Sequence, residues 1–343
     1  DRLTAALDAG ANQCVMRPLR LLDLQGIAKC VHKQQLATVQ LSCPEVLVHI
    51  KNLASGSQGH VYLMQDNGTP PKQYALKEMR FVGESRVTRR RAEQELALLR
   101  TLDSPAIVKV FSGSVTESST RILMEYCEGG SIQNRLSVLR GQKSRPEHAS
   151  VMSWLTQLTL AMLHYQSKNI IHRDIKTANL LLTKDDRLKL CDFGISREME
   201  GTAAGAGTII GSPSTFSPEV LSGKPTTFKS DIWALGSVLY EMLSTDLRPP
   251  FPTNIPVVAL ARVILEQDPP PLPGGVPAFF EVMISSCMRK EPSTRPSIQQ
   301  LAAHPVMSRS IQQFADQTQL HMEVMDCVAL PALERRAVGS LVA

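Results

Sequence analysis

Two short polar segments narrow the range of folds more than any other part of this 343-residue sequence. Residues 171–179 read Ile-His-Arg-Asp-Ile-Lys-Thr-Ala-Asn, and Asp192, followed by Phe and Gly, comes thirteen residues after Asn179. Upstream, Lys77 lies inside an apolar strand candidate. Because these features would hardly occur together and in this order by chance, we expect them to form one site.

The two segments resemble the catalytic loop and the magnesium motif of the eukaryotic protein kinases. The resemblance implies an α+β, bilobal protein kinase fold, with a small β-rich lobe containing one key helix and a larger α-helical lobe. It also implies transfer of the ATP γ-phosphate, a reaction that depends mainly on positioning and charge neutralisation. Asp174 is expected to accept or orient the substrate hydroxyl proton, and Lys176 to neutralise charge on the phosphate. Asn179 and Asp192 are expected to bind Mg²⁺, which prefers oxygen ligands.

A turn containing glycines lies between two strand candidates, over residues 53–61. Glycines allow backbone amides to approach phosphate oxygens without a Cβ in the way, although a plain turn is the alternative. A dinucleotide-binding motif is excluded, because a strand follows the glycines where a helix would be required. Ala54 and Gln58 depart from the family pattern of a first glycine and an aromatic tip.

Lys77 needs an anionic partner, because an unpaired buried ammonium group is costly. Nucleotide phosphates and a carboxylate on the next predicted helix are the two candidates. Glu95 is the carboxylate that we expect, and Glu93 is its rival. A surface lysine and a surface glutamate would be the alternative if the rest of the pattern were missing.

Residues 123–130 resemble the hinge that binds adenine through its backbone. The resemblance implies that Met124 lies at the back of the pocket, that Glu125 and Cys127 offer main-chain contacts, and that Ser131 is near the ribose. The residues predicted to bind the nucleotide are Leu53, Gly56, Ser57, Gly59, Val61, Ala75, Lys77, Met124, Glu125, Cys127, Ser131 and Leu181.

Arg173 resembles the arginine that pairs with a phosphorylated activation segment and keeps it ordered. That segment covers residues 192–219, and the resemblance places the activating phosphate on Thr208, added by an upstream kinase or by autophosphorylation. Glu219 and Arg295 resemble a buried ion pair of the family. The predicted catalytic residues are thus Asp174, Lys176, Lys77, Glu95 and Arg173.

Three zones follow one another along the chain. Residues 1–45 are helix-prone and contain no chemical motif, and residues 309–343 show apolar residues at loosely helical spacing. Between them, the kinase-like pattern covers residues 46–308, with the small lobe predicted at 46–127 and the larger lobe at 128–308.

Composition limits the partners and the compartment. The net charge of +5 is small for this length, which suits nucleotides but does not favour nucleic-acid binding. None of the seven cysteines forms a Cys-x-x-Cys pair, which favours reduced thiols in the cytosol or nucleus. No apolar stretch approaches the ~18 residues that span a bilayer. We expect a cytoplasmic protein that acts on protein substrates with Ser/Thr acceptors, with no nucleic-acid partner and no membrane span.

Further residues indicate the branch of the superfamily. Lys176 resembles the serine/threonine-specific branch, and residues 216–219, 229–236 and 304–314 resemble the NIMA-related kinases. That resemblance implies a location near the cytoskeleton, cilium or flagellum by association only. A pseudokinase that binds nucleotide and partners is the main alternative, although Lys77, Asp174 and Asp192 are all present. A small-molecule kinase is a second alternative, but such relatives generally lack the pairing between Glu219 and Arg295.

Overall fold

The structure, a computed structural model, describes residues 19–20, 46–56, 59–80, 86–116, 118–193 and 215–318. The chain divides into two units, of which the first contains residues 1–101 and 109–126. The second contains residues 102–108 and 127–343. The short segment 102–108 therefore belongs to the second unit, although residues of the first unit flank it on both sides.

The first unit is built on an antiparallel sheet. Its strands are β1 (Leu19–Arg20), β2 (Val46–Gly56), β3 (Gly59–Asp66), β4 (Gln73–Arg80), β5 (Val110–Val115) and β6 (Ser119–Glu125). They are ordered β1-β2-β3-β4-β6-β5. Helix α1 (Arg86–Leu99) connects β4 to β5. Leu96 of α1 is buried, and its side chain lies against Gly113 of β5.

Local sequence explains how the strands turn and which face they bury. Residues 67–72 connect β3 to β4, and Asp66 Oδ1 holds this turn by accepting N–H groups from Gly68 at 3.1 Å and Lys72 at 2.8 Å. An aspartate that binds nearby backbone amides is a common device for closing such turns. One face of the sheet buries an apolar cluster formed by Leu47, Met64, Tyr74 and Leu123.

The second unit is mainly helical in its described residues. A small sheet has the order β7-β8-β9, with β7 at Gly130–Ser131, β8 at Leu180–Leu182 and β9 at Leu188–Leu190. The helices are α2 (Ile132–Gly141), α3 (His148–Ser167), α4 (Pro218–Leu221), α5 (Phe228–Leu243), α6 (Val257–Glu266), α7 (Ala278–Cys287), α8 (Ile298–Ala303) and α9 (Pro305–Thr318).

Helix α5 is the buried centre of the second unit. The sequence predicts a helix over residues 230–244 that is apolar almost all round, and every residue from Ser230 to Leu243 is buried. A capping box starts the helix, in which Thr227 and Ser230 each bind the other's backbone N–H. Because the surrounding core fixes this helix, its few polar side chains are held rigidly.

The predicted α+β class, with a β-rich part and a larger helical part, is confirmed. Near the N-terminus, Leu19–Arg20 forms a strand that pairs with β2, although the sequence predicts residues 1–45 to be helix-prone. Near the C-terminus, α9 runs continuously across position 308, the predicted end of the kinase-like pattern, and Met307 and Ile311 are both buried.

In the ranges that the structure describes, none of the helices has the length and apolar character needed to cross a membrane.

Candidate active site

A buried carboxylate at the start of α5 fixes the backbone of the segment that carries Asp174. Asp231 Oδ2 accepts the N–H of His172 and the hydroxyl of Tyr165, both at 2.9 Å, and Oδ1 accepts the N–H of Arg173 at 3.0 Å. Burial raises the pKa of Asp231, and the nearby His172 and these hydrogen bonds oppose that rise. Asp231 thus anchors the backbone of residues 172 and 173 to the start of α5.

Arg173 adopts an unusual backbone conformation beside this anchor. Its φ of 68° lies in the left-handed region, which costs a non-glycine residue energy that the surroundings must supply. At this φ, the consecutive N–H groups of His172 and Arg173 reach the two oxygens of one carboxylate. The side chain of Arg173 lines a cavity together with Thr215 and Ser217. Its predicted phosphorylated partner, Thr208, lies outside the described residues, so that pairing stays a prediction.

The imidazole of His172 joins the two polar segments that the sequence singled out. Its Nδ1 accepts the N–H of Asp174 at 3.2 Å, and its Nε2 donates to the carbonyl oxygen of Cys191 at 3.0 Å. Burial lowers the pKa of His172, which favours the neutral ring that these two bonds require. Phe193 packs against the ring with centroids 4.5 Å apart. Sequence reasoning assigned no role to His172, although it is part of the motif.

Asp174, Lys176 and Asn179 come together as predicted. Lys176 Nζ lies 2.9 Å from Asp174 Oδ2. Asn179 Nδ2 donates to the backbone oxygen of Asp174 at 2.8 Å and to its Oδ2 at 3.2 Å. Because Asp174 is only 2% exposed, these donors act on its carboxylate in a weakly screened environment. The geometry fits a base whose position is tightly controlled.

Asn179 and Asp192 lie next to a shared backbone hydrogen bond, and both carry side-chain oxygens of the kind that bind divalent cations. The N–H of Cys191 donates to the backbone oxygen of Asn179 at 3.0 Å, which holds the neighbouring Asp192 near Asn179. Since Asn179 Nδ2 donates to Asp174, the side-chain oxygen Oδ1 of Asn179 is the atom that could bind a cation. The described part of the chain contains no group of three or more His, Cys, Asp or Glu that could hold a metal. Magnesium bound by two such residues usually completes its shell with water and with phosphate oxygens of a substrate.

In the first unit, the strand register aligns four of the predicted nucleotide-binding residues. Lys77 pairs with Val61 across β3 and β4, and Ala75 pairs with Met124 across β4 and β6. Because alternate residues of a strand share a face, all four side chains lie on one face of the sheet. Lys77 and Ala75 are both 7% exposed. The sequence prediction of a buried lysine in an apolar strand is confirmed.

The structure separates the two glutamates that were candidates for pairing with Lys77. Glu93 binds Arg89 one turn earlier on α1, with Oε1 3.0 Å from Nε, and both side chains are about half exposed. Glu93 is therefore a surface residue that already has a partner. The side chain of Glu95 lies outside the described residues, so its pairing with Lys77 stays a prediction.

The glycine-containing turn has a steric requirement that the sequence did not indicate. Gly59 has a φ of 104°, and a Cβ there would lie 2.2 Å from the backbone oxygen of Glu78. This glycine is thus needed for the close approach of β3 to β4, whatever ligand the turn binds. Leu53 and Gly56 are exposed at the end of β2, and Ser57 lies outside the described residues.

Two of the predicted hinge residues form backbone hydrogen bonds to other residues of the protein. The N–H of Glu125 donates to the backbone oxygen of Lys109 at 2.9 Å. A main-chain contact from Glu125 to a ligand would therefore use its carbonyl oxygen. Cys127 is buried, and its carbonyl oxygen accepts the N–H of Gly130 at 3.3 Å. The adenine contacts of both residues stay predictions.

Ser131 and Leu181, both predicted to contact the nucleotide, are cross-strand neighbours in the second unit. They pair directly between β7 and β8, so their side chains lie on the same face. The hydroxyl of Ser131 also caps α2, because it accepts the N–H of Asn134 at 3.1 Å and donates to Asn134 Oδ1 at 2.7 Å. Since its single hydrogen is already donated, a ribose hydroxyl would have to donate to Ser131.

The predicted ion pair of Glu219 and Arg295 is confirmed and is almost completely buried. Arg295 Nη2 lies 2.7 Å from Oε2 of Glu219, and Nη1 donates to Oε1 at 2.9 Å. Ser230 adds a hydrogen bond to Oε1 at 2.8 Å. Burial raises the pKa of Glu219, but its hydrogen bonds, first of all those from Arg295, lower it more, so the pKa lies below its ordinary value.

A second carboxylate of α5 contacts the same catalytic segment, and no sequence motif indicates this contact. Thr177, in the 3-10 turn Thr177–Asn179, donates its hydroxyl to Glu241 Oε2 at 3.1 Å. Both residues are buried. Burial raises the pKa of Glu241 to about 7, against the opposing effects of the Thr177 hydrogen bond and the charge of Arg140.

We expect the free energy of unfolding of Glu241→Gln to vary less than that of wild type between pH 4.5 and about 7. The pKa of Glu241 rises from 4.5 when unfolded to about 7 when folded, so the folded state binds its proton more tightly. The corresponding stabilisation is complete below pH 4.5 and is lost as pH rises to about 7, by up to about 3 kcal/mol. Urea unfolding at pH values from about 5 to about 8 measures it. Parallel curves for the variant and wild type would contradict the prediction, and Glu266→Gln, on an exposed side chain, is the control.

A known protein family and several known proteins match most of the chain. Residues 47–307 match the family described as "Protein kinase domain". A protein of Oryza sativa subsp. japonica named Serine/threonine-protein kinase Nek6 is 34% identical over 260 residues, which cover 75% of this chain and 47% of the relative. Mouse Serine/threonine-protein kinase Nek4 is 34% identical, covering 79% of this chain and 34% of the relative. Human Serine/threonine-protein kinase Nek11 is 33% identical, covering 85% and 45%.

These matches test the predicted branch of the superfamily. The resemblance to the NIMA-related kinases is confirmed, because the matched relatives carry Nek names. The chain spans less than half the length of each of these relatives.

Proposed function

We propose, from the premise that this chain belongs to the protein kinase family, that it transfers the γ-phosphate of ATP to serine and threonine hydroxyls of protein substrates. The observation that carries the proposal is the buried carboxylate of Asp174, with Lys176 Nζ 2.9 Å and Asn179 Nδ2 3.2 Å from its Oδ2. The names of the relatives, all serine/threonine-protein kinases, support the choice of acceptor.

Each residue has a role that follows from its chemistry. Asp174 accepts the proton of the acceptor hydroxyl, and Lys176 supplies positive charge to the phosphate that is transferred. Asn179 and Asp192 would hold Mg²⁺ through side-chain oxygens. When bound, Mg²⁺ neutralises charge on the phosphates. Lys77 carries the ammonium group that we propose pairs with the nucleotide phosphates.

The regulation and location of the protein are proposals of the same kind. We propose that phosphorylation of Thr208, by an upstream kinase or by the protein itself, increases activity through pairing with Arg173. The resemblance to NIMA-related kinases supports a cytoplasmic location near the cytoskeleton or a cilium. Reduced thiols, expected from the cysteine pattern, agree with that compartment.

We expect the full chain, incubated with Mg-ATP carrying labelled γ-phosphate, to label a general phosphoacceptor protein on serine and threonine. Phosphoamino-acid analysis identifies the acceptor. Lys77→Met should lower the rate by roughly 10²-fold or more, because a preorganised cation is lost. Lys72→Met changes an exposed lysine five residues earlier and should have little effect. Labelling that is confined to tyrosine, or unchanged in Lys77→Met, would contradict the proposal.

A further inference from the structure

We propose that Glu241 is a positioning residue for phosphate transfer, which acts by holding Thr177 and, through it, the turn that carries Lys176 and Asn179. The inference rests on the proposed function, since it concerns the same residues. It adds Glu241, 62 positions after Asn179, to the residues that orient Lys176 and Asn179.

The contact joins a polar side chain of the buried helix to the centre of the catalytic segment. Thr177 is 3% exposed and begins the 3-10 turn Thr177–Asn179, for which Lys176 is the N-cap residue. The turn has a backbone bond from the N–H of Asn179 to the oxygen of Lys176 at 2.9 Å. Lys176 itself makes no side-chain capping bond in this turn. The hydrogen bond from Thr177 to Glu241, at 3.1 Å, ties the turn to the core from its first residue.

Helix α5 therefore holds the catalytic segment at two points, one on each side of Asp174. Asp231 binds the backbone of residues 172 and 173, and Glu241 binds the side chain of Thr177. The two carboxylates are ten residues apart, which is about 15 Å along a helix. Because every residue from Ser230 to Leu243 is buried, the helix is a rigid base for both contacts. Loss of the second contact would allow the side chains after Asp174 to shift while the first contact still held.

Burial explains why this position needs an acceptor. A hydroxyl that is buried without a hydrogen-bond partner costs free energy, and Glu241 supplies that partner to Thr177. Glu241 is 8% exposed, and Arg140 of α2 is the cation that acts on it. The guanidinium of Arg140 donates hydrogen bonds to the backbone oxygens of Asp246 and Leu247. The acceptor function of Glu241, rather than its charge, is therefore what Thr177 requires.

Four variants test whether Thr177 and Glu241 act through the hydrogen bond between them. Thr177→Val removes the hydroxyl at constant size, and Glu241→Leu removes the acceptor. We expect each to lower kcat by roughly 10- to 100-fold, since small misplacements of reacting groups are costly, with KM for ATP and for peptide within about twofold of wild type. Thr177→Ser and Glu241→Gln, which keep a hydroxyl and an acceptor oxygen, should recover most of the lost kcat. Glu266→Leu, on an exposed side chain, is the matched control.

The double variant Thr177→Val/Glu241→Leu tests whether the two residues act as a unit. Its loss of kcat should equal that of either single variant, because the same contact is removed only once. Thermal unfolding shows that each variant is folded, and hydrogen exchange of the peptide over residues 172–182 reports the turn without any need for activity. Exchange there should be faster in Thr177→Val and not in Thr177→Ser.

Three results would overturn the inference while the proposed function stands. They are an unchanged kcat in Thr177→Val, losses that multiply in the double variant, and a higher KM for peptide in Glu241→Gln that Thr177→Val does not share. The last result would assign Glu241 to direct contact with the substrate. If wild type itself transfers no phosphate, the proposed function fails, and this inference fails with it.

Discussion

Asp174→Asn lowers kcat for phosphate transfer by roughly 10²- to 10⁴-fold, the contribution typical of a positioned general base. The substitution keeps the size of the side chain but removes its ability to accept a proton. It also keeps the two backbone hydrogen bonds of residue 174, whose N–H donates to His172 and whose carbonyl oxygen accepts from Asn179. The fold should therefore survive while the chemistry is lost.

The measurement is the initial rate of phosphate transfer at saturating Mg-ATP and peptide, with thermal unfolding as a check on folding. Asp186→Asn is the matched control, because Asp186 pairs with Arg135 at 3.0 Å on the surface, with both side chains 42% exposed. A surface pair contributes little, so the control should retain wild-type activity. A rate for Asp174→Asn within about threefold of wild type would remove the base from the proposed mechanism.

Arg295→Met lowers the free energy of unfolding by about 3–5 kcal/mol, the usual effect of leaving one member of a buried ion pair without its partner. The side chains of Arg295 and Glu219 are 0% and 4% exposed, so water cannot replace the lost contact. Arg295 also donates to three backbone oxygens, of residues 229, 289 and 290. Those acceptors lose a donor as well.

Urea unfolding measures the change, and the thermal midpoint should fall on the order of 10 °C. Arg262→Met is the matched control, since Arg262 binds Glu266 at 3.1 Å with side chains 78% and 58% exposed, and its loss should cost less than about 1 kcal/mol. Adding Glu219→Leu to Arg295→Met should recover part of the loss, because no buried charge is then unpaired. Equal destabilisation in Arg262→Met and Arg295→Met would contradict this account.

The same pair has a pH dependence with a definite sign. Although burial raises the pKa of Glu219, its hydrogen bonds lower it overall, so the stabilisation from its ionised form is present above the unfolded value of 4.5. It is lost as the pH falls through the lowered pKa. In Arg295→Met the partner that lowers the pKa of Glu219 is missing and its burial remains, so the pKa of Glu219 in the folded variant is raised. The difference in stability between wild type and Arg295→Met should therefore begin to shrink above pH 4.5 as the pH falls, and become smaller still in more acidic solution.

The sequence predicted features that have a local pattern or a strong motif. Short strands rich in β-forming residues, the apolar helix α5 and the cluster of Asp174, Lys176 and Asn179 could all be found from neighbouring positions. The pairing of Glu219 with Arg295 was also found, but only through the family resemblance, since 76 residues separate the partners.

Contacts that depend on the folded arrangement could not be predicted. The bond between Thr177 and Glu241 spans 64 residues, and nothing in the local sequence of either residue indicates a partner. The role of His172 depends on which ring nitrogen binds which backbone group, and the sequence does not contain that information. For Gly59, the sequence suggested a phosphate contact, whereas the structure adds the close backbone of Glu78.

The placement of residues 102–108 has a consequence for fragments of this chain. The N–H of Val108 donates to Leu190 at 2.9 Å, and the N–H of Leu190 donates to Ala106 at 2.8 Å, so this linker is hydrogen-bonded to a strand more than 80 positions later. A truncated polypeptide that stops at residue 127 would contain every strand of the larger sheet. It would still leave the connection between α1 and β5 without its native hydrogen-bonding strand, so the β-rich half is not an independent contiguous piece of sequence.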